Sequence, residues 1–243
     1  MESNGKKERT HKREDILRIG ENFVIYQSNA SFLRVVDVIL YGPNNWYIER
    51  NLIESGIVVH TTIRVMVPDH LIWPIDTTKW PIDYSYAGAT YIAYMIAAAY
   101  AGGAISTNQS IYADILSIGL GGGSLNNFFR HITKNTNITI IEINKKMVDL
   151  AKTYFGLIED DRQRCIVGDG AELIRKFAER GKKFDVIFLD ACDTSEKISK
   201  CPSDVFMKSS IVKYFPKTLK KSGTLLINYI MIGEPLFPLE KVS

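Results

Sequence analysis

Cysteine and histidine are scarce in this sequence, and their scarcity leaves little material for a metal centre. There are three cysteines and four histidines. Cys165, Cys192 and Cys201 form no Cys-x-x-Cys pair, so they predict neither a metal site nor a disulfide framework. Cys192 and Cys201 are expected as buried or loop thiols. His60, His70 and His131 show no ligand spacing. An excess of one charge is also missing: 30 Lys and Arg stand against 27 Asp and Glu, for a net charge of +3. That balance argues against nucleic acid as a partner. The basic N-terminal residues Lys6, Lys7, Arg9, Lys12 and Arg13 alternate with Glu2, Glu8, Glu14 and Asp15, which predicts a solvated tail. No apolar segment follows Met1, so no secretory signal is expected and the reducing cytoplasm is the expected compartment.

Long hydrophobic runs are absent too. Residues 84–113 carry no charge, a length that could span a bilayer. They are built from Ala, Tyr, Ser, Thr and Gly, with a break at Gly102-Gly103, and such a composition inserts poorly. A buried soluble helix over 86–101 is predicted instead, with no membrane association. Its tyrosines Tyr84, Tyr86, Tyr91 and Tyr94 are expected in the core rather than around a cofactor.

What the sequence does contain divides it into three parts. Residues 1–20 read as a disordered tail. Residues 21–83 read as a small β-hairpin module with a Pro- and Trp-containing connector. Its strands are expected over 23–26, 32–40 and 57–67, with turns at 41–45 and 54–56. From residue 84 to 243 the pattern is α/β. Apolar runs at 115–120, 138–143, 164–168, 184–189 and 223–230 alternate with helical stretches at 124–131, 145–155, 171–180 and 205–220. That alternation predicts a Rossmann-like parallel sheet covered on both faces.

The sharpest motif is the first strand–turn–helix, where Ile118 leads into Gly119-Leu120-Gly121-Gly122-Gly123-Ser124. Glycines permit the tight turn and let a ligand approach the main chain, while the following helix offers free N–H groups. Strand before and helix after is the context that gives such a turn meaning. Glu142 ends the next strand, 19 residues after Gly123, where an acidic residue can bind ribose hydroxyls. Asp169, in Gly168-Asp169-Gly170, closes the third strand and can accept from an adenine amino group. Asp190 closes the fourth, in Leu189-Asp190-Ala191-Cys192-Asp193, and can orient an amine and take its proton. Asp193 either assists or caps the following loop.

These residues resemble the polyamine synthase-like branch of class I S-adenosylmethionine-dependent methyltransferases, over residues 22–230. The Ser85-Tyr86 helix start, the triple-glycine turn, Ile141-Glu142-Ile143, Gly168-Asp169-Gly170 and Leu189-Asp190-Ala191-Cys192-Asp193 are similar to spermidine synthases. The resemblance implies that Gly119, Gly121, Gly122, Gly123, Ser124, Glu142, Asp169 and Gly170 hold the nucleoside and that Asp190, with Asp193, serves the acceptor amine. Two positions depart from that branch. Ser124 stands where aminopropyltransferases carry Asp, and Ala87-Gly88 replaces a Gln-Glu pair.

A closer resemblance is to the C-terminal domain of the dual-domain elongation factor 1-alpha methyltransferases. It rests on Gly119 through Leu125, on Tyr154-Phe155-Gly156 with Asp161-Arg162, and on Cys201-Pro202 ahead of Phe206. That likeness implies S-adenosylmethionine as cofactor and a protein amine as acceptor, on a translation elongation factor. The alternatives are a polyamine aminopropyltransferase and a non-catalytic binding protein of the same nucleotide fold. Thirteen residues follow Ile230, and they do not read as the closing helix and strand pair of a seven-stranded sheet. The expected result is a shortened sheet, with its fifth strand at an edge and a homodimer as one way of covering it.

Overall fold

The computed structural model describes residues 22–27, 32–41, 46–55, 58–71, 75–194 and 199–232. The expected N-terminal tail lies outside the described residues, as does the segment after 232. The chain divides into two compact units, with the boundary between Tyr86 and Ala87.

The first unit is an antiparallel sheet in the order β1-β2-β3-β4-β5. Its strands are β1 (Asn22–Gln27), β2 (Leu33–Tyr41), β3 (Trp46–Glu54), β4 (Val58–Val65) and β5 (Ile82–Asp83). The sequence reading anticipated β1, β2 and β4 but assigned no strand between the turns at 41–45 and 54–56. β3 fills that place, and its charged residues are what hid it. Glu49 and Arg50 interrupt the apolar alternation, yet Arg50 is 1% exposed. Arg50 Nε and Nη2 each donate to the equally buried Asp37 carboxylate at 2.8 Å, and Nη2 also donates to the Thr77 carbonyl at 2.7 Å. A buried fork of this kind satisfies both charges, so a cation sits where the pattern calls for a hydrophobe.

The second unit is a parallel sheet in the order β12-β9-β6-β7-β8. In chain order it begins with helix α1 (Thr90–Ala101), then β6 (Ala113–Ile118), α2 (Ser124–Ile132), β7 (Thr136–Glu142), α3 (Lys145–Tyr154), β8 (Gln163–Val167), α4 (Gly170–Glu179) and β9 (Phe184–Leu189). Strand β10 (Asp193–Thr194) and β11 (Ser199–Cys201) follow. Three short helices, α5 (Asp204–Met207), α6 (Ser209–Val212) and α7 (Phe215–Thr218), lead to β12 (Leu219–Ile227) and β13 (Ile230–Ile232).

Successive strand residues point to opposite faces, and both faces are buried. Ile115, Ile138, Ile140, Val186 and Phe188 pack with Ile92, Met95, Ile96 and Ala99 of α1, with Leu125 and Phe129 of α2 and with Val148 of α3. Their neighbours Leu116, Ile118, Ile141, Ile187 and Leu189 pack on the other side with Ile174 of α4, Phe206 and Phe215. Burying a side chain such as Phe188 contributes about 2–3 kcal/mol. The fold class is therefore the expected Rossmann-like α/β arrangement, with β12 at one end of the sheet.

Four local expectations are corrected. Helix α1 starts at Thr90 rather than 86, because Gly88 has φ +75° and ends any helical run upstream. Tyr94 is 70% exposed rather than in the core. The single helix expected over 205–220 is three short ones: Lys208 is extended between α5 and α6, Pro216 occupies the first turn of α7, and β12 begins at Leu219. Cys192 and Cys201, expected as thiols, form a disulfide across Cα atoms 4.4 Å apart. The cause is a chain reversal the sequence did not announce. β10 pairs antiparallel with β11, Asp193 opposite Lys200, which sets Cys192 opposite Cys201. β11 pairs in turn with β13.

Candidate functional site

The chemistry collects at the carboxyl ends of the parallel strands, and main-chain hydrogen bonds lace those ends together. Gly168 N–H donates to the Glu142 carbonyl, Gly119 N–H to Ile141, Asp190 N–H to Ile118 and Asn228 N–H to Leu189, at 2.8–3.0 Å. The ladder thus continues one residue past each strand, in the order β8, β7, β6, β9, β12. Asp169, Glu142, the glycine turn, Asp190 and Asn228 fall in a row along one edge. At about 4.8 Å per strand the row runs roughly 19 Å.

At its centre, Gly119 has φ +97°, and a Cβ there would sit 2.2 Å from the Asp190 carbonyl oxygen. Only glycine lets the turn press against the chain that carries Asp190. Gly121 and Gly123 also have positive φ, and Gly123 opens α2 with no side chain capping it. The N-terminus of α2, where Ser124 is the first residue, therefore presents its amides to whatever occupies the turn.

Glu142 is 8% exposed, which rules out a solvated strand-end carboxylate. Its Oε2 accepts from Leu120 N–H at 3.0 Å and its Oε1 from Asn144 N–H at 2.8 Å. The carboxylate pins the glycine turn to the start of α3. Beside it, Ile143 is 73% exposed, and Val167 at the end of β8 is 49% exposed. Both are apolar side chains left exposed near the carboxyl ends of β7 and β8. The Ile143 reading was missed because an exposed Ile after a strand looks unexceptional in sequence.

Asp169 and Asp193 are each engaged by the main chain. Asp169 Oδ1 caps α4, accepting from Ala171 N–H at 2.8 Å and Glu172 N–H at 3.4 Å. Asp193 Oδ2 accepts from the N–H of Asp204, the first residue of α5, at 3.1 Å. Gly170 is required by crowding: a Cβ would meet Ile118 at 2.8 Å and Phe206 at 2.9 Å.

Asp190 has partners that sequence reasoning did not name. Tyr91 Oη donates to its Oδ2 at 3.1 Å and Asn228 Nδ2 to its Oδ1 at 2.7 Å. Burial foremost, and then the Asp190 charge, push the Tyr91 phenol far above its ordinary pKa. Tyr91 packs against the core cluster, as expected, and adds this contact to Asp190. The available signal for Asn228 is its place as a buried amide, 6% exposed, inside the apolar run 225–230. A cavity of about 420 Å³ also opens at the opposite edge of the sheet, lined in part by Tyr100, Tyr112 and Asp185. The Asp185 carboxylate there already holds Lys220 and the Asp114 N–H.

The family model described as spermine/spermidine synthase domain matches residues 102–229, more than half of the chain. The eEF1A lysine and N-terminal methyltransferase of Danio rerio is 32% identical over 126 residues, covering 51% of this chain and 18% of that protein. The human protein of that name is 29% identical over 157 residues, covering 61% and 22%. The crystal structure of human methyltransferase-like protein 13 in complex with SAH superposes with a TM-score of 0.50 at 28% identity, covering 56% of this chain and 63% of that one. The chain spans about a fifth of the length of the curated relatives it matches. No helix among the described residues is long and apolar enough to cross a membrane.

Proposed function

The chain belongs to the spermine/spermidine synthase domain family, and from that membership we propose that it is an S-adenosylmethionine-dependent methyltransferase acting on a protein amine, N-terminal or lysine. The observation that carries the reading is the order of groups along the sheet edge. Ile143 and Val167 flank the adenine, with Asp169 accepting from its amino group. Glu142 takes the ribose hydroxyls. Gly119 to Gly123 and the N-terminus of α2 receive the methionine portion, whose carboxylate gains a donor in Ser124. Asp190 then faces the methyl group and the incoming amine. S-adenosylmethionine supplies an activated methyl, so the chain's residues need only align the amine and exclude water. The printed names of the relatives, with their lysine and N-terminal acceptors on eEF1A, support the acceptor class, and cytoplasmic location and eEF1A as substrate belong to the same proposal.

A polyamine aminopropyltransferase of Pyrobaculum islandicum is 30% identical over 106 residues, and that alternative separates cleanly by cofactor. Isothermal titration with S-adenosylmethionine and with its decarboxylated analogue is the test. Tighter binding of the carboxylated form is expected, because Ser124 does not repel the carboxylate as an Asp would. Ser124→Asp should shift the preference toward the decarboxylated form. A native chain that prefers the decarboxylated analogue sinks the methyltransferase reading, and one that binds neither supports a non-catalytic role for the fold.

A further inference from the structure

We infer that Tyr91 and Asn228 form a two-sided clamp that fixes the Asp190 carboxylate as the hydrogen-bond acceptor for the incoming amine, making both of them positioning residues. The inference rests on the methyl-transfer reading above and extends it to how the acceptor is oriented and which amines qualify.

The clamp draws on three distant parts of the chain. Asp190 is anchored through its own N–H to the Ile118 carbonyl at 2.8 Å, beside the glycine turn. Tyr91 reaches Oδ2 from the first turn of α1, and Asn228 reaches Oδ1 from just past β12. Asn228 is itself held, its N–H donating to the Leu189 carbonyl at 3.0 Å. An ionised carboxylate only accepts, so the amide must present nitrogen to it. Tyr91 stays a neutral donor at any working pH, since burial and the facing carboxylate both oppose its ionisation. Packing interactions alone do not demand two side-chain donors on one carboxylate. A carboxylate that must hold one orientation does.

The consequence is chemical. The fixed carboxylate sets the direction from which an amine N–H can bond to it, so that the nitrogen lone pair points at the methyl carbon. As the N–C bond forms, the C–S bond breaks and its electrons return to sulfur. The positive charge passes from the sulfonium to the methylated nitrogen, next to the anion. The proton then leaves to Asp190 or to water. Asp190 orients the amine, and its charge steadies the developing cation next to it. The amine must arrive neutral. An α-amine, with a pKa of about 7.7–8.0, is neutral far more often at pH 7.5 than a lysine near 10.4, so the clamp favours N-terminal acceptors.

The test uses the full chain, native and as Tyr91→Phe and Asn228→Ala. The Asp190 carboxyl is titrated by NMR with ¹³C-labelled aspartate and assigned through Asp190→Asn. Removing either donor should raise the midpoint, because each bond favours the charged form. Methyl transfer to purified eEF1A should fall at least tenfold in kcat, with the KM for S-adenosylmethionine within twofold of native. SAH affinity within twofold reports an intact fold. The native chain should also methylate an N-terminal peptide amine faster than a lysine peptide at pH 7.5. A midpoint unmoved in both variants overturns the clamp, and a shifted midpoint with unchanged kcat overturns its role in transfer. The titration needs no cofactor. Failure to bind S-adenosylmethionine would therefore count against the proposed function and leave the clamp to be judged by the titration.

Discussion

Glu142 works on the binding turn before any ligand arrives, because both of its oxygens hold main-chain N–H groups on either side of the site. Glu142→Ala therefore removes the proposed ribose contact and also frees the Leu120 N–H that shapes the turn. The expected loss is about 1.5–3 kcal/mol of S-adenosylmethionine affinity, the range for hydrogen bonds to a charged group. Calorimetry on a folded variant checks it, and an unchanged affinity takes Glu142 out of the site. Glu142→Gln is no gentle control, since one of the two N–H donors would then face an NH₂. Tyr91 gives a pH prediction at the same scale. Its folded-state pKa is raised above 10.0, chiefly by burial, so the folded chain disfavours the phenolate. Stability from this source is whole below about pH 10 and is lost as pH climbs beyond it. Urea denaturation at pH 9 and pH 10.5 should show a smaller alkaline loss in Tyr91→Phe than in the native chain; equal losses would mean that Tyr91 ionises freely.

Among the elements, the β10–β11 hairpin carries the least expected feature, the Cys192–Cys201 bond. Of the three cysteines, Cys165 alone is then a thiol, and burial, ahead of the Glu159 and Glu142 charges, lifts its pKa to about 12. The native chain should react with less than one equivalent of a thiol reagent at pH 8. Three equivalents should appear after reduction and unfolding, whereas three in the native state would show the pair to be open. The elements that sequence did reveal were the parallel strands and the glycine turn, because apolar runs buried on both faces and a glycine cluster between strand and helix leave little choice of structure. β3 stayed hidden because Arg50 is satisfied by Asp37 on the neighbouring strand and by the Thr77 carbonyl, pairings no local pattern records. The hairpin stayed hidden because a two-residue strand is too short to show a period. The row of site residues was legible up to Asp190. Its two clamp donors were not, since each becomes meaningful only when α1 and the end of β12 meet the same carboxylate.

At the scale of the whole molecule, the chain has two cores with different chemistry, and a ligand should distinguish them. The unit up to Tyr86 has a buried ion pair at Asp37 and Arg50, while every proposed cofactor contact lies in the unit from Ala87 onward. Truncating one member of a buried pair strands the other's charge and costs about 3–5 kcal/mol. Asp37→Ala should therefore destabilise the first unit strongly. S-adenosylmethionine at a hundredfold excess over its Kd should stabilise the second by about 2.7 kcal/mol through mass action alone. Calorimetric melts of native chain and variant, each with and without cofactor, separate the two effects. The expected pattern is two transitions, the variant lowering one and the cofactor raising the other, with cofactor affinity in Asp37→Ala unchanged at temperatures below both. A single transition that responds to both changes would show that the two cores melt as one cooperative body. Loss of cofactor binding in the cold variant would instead make the β-sheet unit necessary for cofactor binding.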